Sequence, residues 1–120
     1  FEKLKKLVWF LSTIIKNYRK MFVRVKNGRI ELCTSEGGIR ASFRTDVVDA
    51  ILSRDEKYIL ATFKNGNVKL INPNGGGIIR DIVVNAEAIR AIFDGDNVLV
   101  TLKDGRTQLR TMYGGILREF

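Results

Sequence analysis

Side chains that carry most enzyme chemistry are sparse in this sequence. Histidine is absent from its 120 residues, which removes Ser-His-Asp triads, Cys-His pairs and imidazole metal ligands. The single cysteine, Cys33, lies in an apolar run. Such a residue reads as core rather than nucleophile, and with no second thiol it suits a reducing, cytoplasmic setting. Asp46 with Asp49, and Asp55 with Glu56, are the carboxylate pairs. Nothing in their spacing sets either pair across a cleft, so they read as solvated turn charges. Asp94-Gly95-Asp96-Asn97 lacks the alternating ligands and closing glutamate of a calcium loop. Gly75-Gly76-Gly77 lacks the Lys-Ser or Lys-Thr and the helix of a phosphate loop. No catalytic residue, metal or cofactor is expected, and the chain reads as a non-enzyme.

What remains is charge. A formal net charge of +8 favours anionic partners such as nucleic acid, acidic protein surfaces or anionic lipid, and says nothing about fold. Arg40, Arg80 and Arg118 each follow a glycine pair by one or two apolar residues. They are expected at equivalent points on successive strands, where they either cover apolar edge surface with their stems or form a basic stripe for an acidic partner. Arg24, Arg44, Arg90, Arg106 and Arg110 add to the positive total. Few aromatic residues interleave with them, so base stacking is not specifically indicated.

Two kinds of element must position these residues. The first is a helix over residues 1–20, which contain neither Gly nor Pro. Leu4, Leu7, Val8, Leu11, Ile14, Ile15 and Tyr18 recur at steps of three and four and line one face of a helix about 30 Å long. Lys5, Lys6, Lys16 and Lys20 occupy the opposite face, with Trp9 among them. The stripe Leu4, Leu7, Leu11, Ile14, Ile15 and Tyr18 is the expected oligomer interface or docking face on the rest of the chain. The basic face with Trp9 is a partner surface, and a helix of this kind could also lie on a membrane. Its uncharged run from Leu7 to Ile15 is too short to span a bilayer, which takes about 20 apolar residues. No small-residue cleavage site follows it.

The second kind of element is short strands from residue 21 onward. Hairpin signals at Asn27-Gly28, Asn65-Gly66 and Asp104-Gly105, each wanting φ > 0 at both turn positions, recur at about 38 and 39 residues. Glycine pairs at Gly37-Gly38, Gly76-Gly77 and Gly114-Gly115 share nearly the same spacing. Eleven strands fit this punctuation. The segment from Ala86 to Phe93 is read as one of them, although its composition would also allow a short helix. A period near 40 residues with about four strands per unit is the signature of propeller blades. Units of 21–57, 58–97 and 98–120 follow from the period. Twelve strands would complete three blades, and the missing one is the inner strand before Phe22. With 45% hydrophobic residues the chain can bury the core of one domain.

The central unit, Asp55 to Ala61, Asn65-Gly66 to Asn72 and Gly75 to Ile82, is similar to a blade of the WD-repeat family. The resemblance covers about two and a half repeats over roughly 100 residues. It departs from that pattern in its signatures. Ile71-Asn72 stand where the Trp-Asp pair would be, with Cys33-Thr34 and Leu109-Arg110 at the related places, and no Gly-His pair is present. The resemblance implies a mainly β architecture: an N-terminal amphipathic helix followed by about three propeller-like antiparallel blades. It also implies a non-catalytic protein-interaction or scaffold role, by analogy of fold.

Propellers close with about four to eight blades, so three leave two open ends. Completion by oligomerisation is expected, a homodimer giving six blades. The alternatives are a basic nucleic-acid-binding protein, or peripheral membrane association through the helix. If the helix is a protein-docking element, Trp9 fluorescence stays unshifted on titration with anionic vesicles; a blue shift would establish the membrane reading instead.

Overall fold

The computed structural model describes residues 3–6 and 21–120. Residues 3–6 are helical, and Leu4, Lys5 and Lys6 are exposed there. The rest of the expected helix, with Trp9, Lys16, Lys20, Leu7, Leu11, Ile14, Ile15 and Tyr18, lies outside the described residues. Among the described residues no helix is long and apolar enough to cross a membrane.

From residue 21 the chain builds three antiparallel sheets. Strands β1 (Met21–Lys26), β2 (Arg29–Thr34) and β3 (Ile39–Phe43) form sheet 1. Sheet 2 holds β4 (Val47–Leu52), β5 (Ile59–Phe63), β6 (Val68–Ile71) and β7 (Ile78–Val83). Sheet 3 holds β8 (Ala88–Asp94), β9 (Asn97–Leu102), β10 (Thr107–Thr111) and β11 (Ile116–Glu119). Each strand pairs with the next in sequence, so every sheet is a meander. The segment that could have been a short helix is strand β8. Backbone pairing joins β4 to β5 and β8 to β9. The sheets therefore run 21–43, 47–83 and 88–119, whereas units of 21–57, 58–97 and 98–120 would leave β4 and β8 with the preceding sheet.

Burial follows from stacking sheet on sheet. Strand β9 alternates buried and half-buried residues, as a strand with one covered face should. In β5, Ile59, Leu60, Ala61 and Thr62 are all buried, because sheet 2 is covered on both faces. Two separate cores result. Ile30 of sheet 1 meets Val47, Ala50, Leu52, Ile59, Ala61 and Ile71 of sheet 2, with Val23, Val25 and Phe43 against them. The opposite face of sheet 2, through Leu60, Val68, Leu70, Ile82 and Val83, meets Ala88, Ala91, Val98, Val100 and Leu102 of sheet 3.

The hairpins do not share one turn chemistry. Asn27 (φ 53°) and Gly28 (φ 74°) are both left-handed, as the type I′ reading requires. At the other two hairpins only the glycine is left-handed, Gly66 at φ 86° and Gly105 at φ 93°. Those loops are one residue longer: Gly66 N–H donates to Phe63 C=O and Phe63 N–H to Asn67 C=O, and Leu102, Gly105 and Arg106 repeat the pattern. The Asn65 and Asp104 side chains accept the Asn67 and Arg106 N–H at 3.0 Å each. The residue before each of these glycines keeps a negative φ.

The same glycines lie where sheet meets sheet. Val47 N–H, opening sheet 2, donates to Gly28 C=O at 2.9 Å, and Ala88 N–H, opening sheet 3, donates to Gly66 C=O at 3.1 Å. A Cβ on Gly66 would lie 2.7 Å from the Ala86 carbonyl oxygen, whereas one on Gly105 would meet nothing within 4 Å. Both glycines sit in the same kind of turn at similar φ, so their alanine variants separate backbone strain from inter-sheet contact. Gly105→Ala is expected to cost about 1 kcal/mol for the left-handed residue alone, and Gly66→Ala at least about 2 kcal/mol. Urea unfolding of the two variants checks this; equal losses would show that the inter-sheet approach carries no energy of its own.

Candidate partner-binding surface

Where sheets 2 and 3 diverge they leave an open cleft of about 990 Å³. Its floor is apolar, from Ile51, Leu70, Phe93 and Met112, and Arg54, Asp55, Arg80 and Asp96 contribute charge to its lining. The walls are turns. Between β4 and β5, the Ser53 hydroxyl donates to Asp55 Oδ1 at 2.6 Å and accepts Tyr58 N–H at 3.0 Å, while Asp55 also accepts Lys57 N–H. These bonds, the Ser53 hydroxyl first, hold the Asp55 carboxyl below its ordinary value. Between β8 and β9, Gly95 at φ 57° opens a two-residue turn. Ile79 is the extra residue of a bulge, since Leu70 pairs with Arg80 and Ile71 with Ile78. The bulge re-aims it, and Ile79 joins the cleft lining.

Arg80 crosses from sheet 2 to sheet 3. Its guanidinium stacks over Tyr113 at 3.9 Å from the ring centroid and donates to Met112 C=O at 3.3 Å. Arg118 holds the same register, opposite Leu109 as Arg80 is opposite Leu70, but it is exposed and lies 5.1 Å from the ring centre of Phe120. Arg40 is not their equivalent. Cys33 pairs with Ile39 and Leu32 with Ala41, so Arg40 is itself the bulged residue, and Ala41 holds the register of Arg80. The exposed Arg40 guanidinium reaches Met21 Sδ at 3.2 Å. The three arginines therefore form no continuous stripe. Counted from the second glycine of each pair, Arg40 is the second residue whereas Arg80 and Arg118 are the third, and the second residue is the bulged one in every outer strand. Asn72 N–H bonds to Gly77 C=O across a loop one residue longer than those in which Thr34 and Thr111 bond to Gly38 and Gly115. The same bonds make Arg110-Thr111, rather than Leu109-Arg110, the counterpart of Ile71-Asn72.

Arginines that looked like plain surface charge instead join the sheets. Arg44 Nε donates to Gly76 C=O across the boundary of sheets 1 and 2 at 2.8 Å. Arg110 reaches from sheet 3 to Ile82 C=O of sheet 2 at 3.1 Å, and also donates to Gly114 C=O and twice to Gln108 Oε1. Burial pulls the Arg110 guanidinium below its usual value, partly opposed by Glu119. Buried Gln108 passes the chain of bonds to Glu119, which also takes Arg106, itself paired to Asp104. The Gln108 amide first, then Arg106, holds the Glu119 carboxyl below the ordinary range. A polar ladder thus stands on the face of sheet 3 turned to sheet 2. Sequence reading missed it because a polar residue within a strand signals a solvent face.

Comparison with models of protein families finds no match, and a search of curated proteins finds none. Among solved structures the chain is similar to Hsv2 of Kluyveromyces lactis, with a TM-score of 0.68 and 8% identity, covering 87% of this chain and 34% of that one. It is also similar to the β-propeller domain of Cps50 (Swd1) from Myceliophteria thermophila, with a TM-score of 0.60 and 16% identity, covering 86% of this chain and 35% of that one. The chain thus spans about a third of the length of these structures. The fold is that of WD-repeat-like propeller blades, with sheets 1, 2 and 3 as successive blades of a partial propeller.

Arg110→Met keeps much of the stem and removes every donor, leaving the Ile82 carbonyl and Gln108 without this partner. It is expected to lower unfolding stability by about 2 kcal/mol. Acid acts on the same ladder. A carboxyl held low in the folded state favours folding above its unfolded value, and that contribution is lost as pH falls through about 4 and below. The urea midpoint is expected to fall between pH 6 and pH 3, and to fall less in Glu119→Gln.

Proposed function

We propose that the chain is a non-catalytic protein-interaction module, and that the cleft between the second and third blades takes an extended segment of a protein partner. The observation that supports this most is the lining of that cleft. An open cleft of about 990 Å³ with an apolar floor and a few charged groups suits one large apolar side chain and a polar backbone around it. Ile79 and Tyr113 offer exposed apolar contact there. The fold itself is used widely as a platform, an argument from analogy of architecture. The free, buried thiol of Cys33 accords with a reducing, cytoplasmic setting.

Net charge favours nucleic acid less than its size suggests. Arg24 is paired with Glu31, Arg106 with Asp104 and Glu119, and Arg44, Arg80 and Arg110 donate to backbone carbonyls. Those guanidiniums are already engaged by the protein. Selection of a displayed peptide library against the chain tests the proposal. Peptides with a large apolar anchor are expected, and Ile79→Glu is expected to weaken them at least about tenfold, the worth of one buried apolar contact. Retention on immobilised DNA or RNA that falls steeply between about 50 and 200 mM salt, with no peptide selected, would replace this reading with nucleic-acid binding.

A further inference from the structure

The outer face of sheet 3 repeats the face by which sheet 2 holds sheet 3. On sheet 2, Ile51 pairs with Leu60 and Leu60 with Leu70, and Thr62 pairs with Val68. On sheet 3, Ile92 pairs with Leu99 and Leu99 with Leu109, and Thr101 pairs with Thr107. The two faces match row by row, Ile-Leu-Leu and Thr-Val against Ile-Leu-Leu and Thr-Thr. On sheet 2 the face is closed, with Leu60, Thr62 and Leu70 at 1%, 1% and 2% exposure. On sheet 3, Ile92, Leu99, Thr101, Thr107 and Leu109 are all only half-buried.

The backbone repeats the same offer. Gly28 and Gly66 each give their carbonyl to the first N–H of the next sheet's inner strand. Among the described residues no backbone N–H reaches the Gly105 carbonyl, and the space above its Cα is open. Arg118 stands at the register from which Arg80 crosses to the next sheet's outer loop.

We propose that this face is a docking site for a further propeller-type blade that brings its own inner strand. The established joints define that strand's chemistry. Val47, Ala50 and Leu52 in one, and Ala88, Ala91 and Phe93 in the other, place a small or β-branched apolar residue first, alanine fourth and a large apolar residue sixth, turned to the preceding sheet. A second copy of this chain fits poorly. Among the described residues sheet 1 has no inner strand to reach the Gly105 carbonyl. Its far face carries the Arg24–Glu31 ion pair at 2.7 Å, where sheet 3 meets sheet 2 with Val98, Val100 and Leu102.

The test extends the full chain by repeating residues 83–120 once after Phe120, which sets a copy of the third blade in phase with the exposed face. The duplicate is expected to fold onto sheet 3. The extended chain should resist limited proteolysis along its whole length and melt roughly 5 °C or more above the parent. Leu99→Lys in the original third blade should abolish both gains while leaving the unextended chain's melting temperature within about 1–2 °C. Trimming of the extension back to the parent length with no change in melting would overturn the proposal, as would gains that survive Leu99→Lys. So would a dimer of the unextended chain, by light scattering, that Leu99→Lys dissociates, because the face would then belong to a second copy.

Discussion

The structure depends on one close approach, backbone against backbone, at the hairpins of the first two blades. The Gly28 and Gly66 carbonyls receive the first N–H of the following inner strand, at Val47 and Ala88. A second bond ties that strand's approach to its own sheet, from Lys64 N–H to Asp46 C=O and from Lys103 N–H to Glu87 C=O. A Cβ at Gly66 would stand 2.7 Å from a backbone oxygen that has no rotamer by which to yield. At Gly66 the joint therefore needs glycine for two reasons at once, left-handed φ and absence of a side chain, whereas at Gly28 a Cβ would stand 3.5 Å from Asp46 N and only the φ of 74° asks for glycine.

Fixing that approach sets everything outside it. The inner strands β4 and β8 must lie against the preceding sheet, so they carry small residues, Ala50 and Ala91, where the sheets are nearest. Toward the outer strands the sheets splay, and the gap is bridged by longer groups: Arg44 to Gly76, Arg80 to Met112 and Tyr113, Arg110 to Ile82. Where bridging side chains fail to fill the splay, the cleft opens. The cleft is thus a consequence of blade geometry, and its chemistry is set by loops that are free to vary without disturbing the joint.

The strands were legible because two independent signals agreed, apolar alternation within each run and turn residues between runs. Sheet order followed, since meanders pair neighbours. Register was less legible. Arg40 follows its glycine pair by two residues, Arg80 and Arg118 by three, and a bulge at the second residue of each outer strand leaves Arg40 unpaired while the other two hold register; apolar alternation cannot see the bulge. The two left-handed positions expected at Asn65-Gly66 and Asp104-Gly105 reduce to one, because a three-residue loop needs only its last residue left-handed. The cleft was not legible at all. It gathers Ser53–Asp55, Ile79–Arg80, Gly95–Asp96 and Met112–Tyr113, four turns and strand ends that no local pattern relates.

The arginines show how a whole-chain charge can mislead about function. Composition assigns each of them to a solvated, partner-seeking surface. In the fold, Arg44 and Arg110 satisfy backbone carbonyls across blade boundaries, and burial of Arg110 is tolerable because it makes four hydrogen bonds. A guanidinium presents five donors in a planar fork, so one side chain can close several carbonyls along a splayed seam where no strand can pair. The chain has no histidine, and neither the Trp-Asp pair nor the Gly-His pair of the WD-repeat pattern is present to join its blades. Arginine joins the outer seams here, with Gln108 held against Arg110. Much of the positive charge is therefore a property of how the blades are joined, and the surfaces left to explain are the two apolar ones: the cleft and the open face of the third blade.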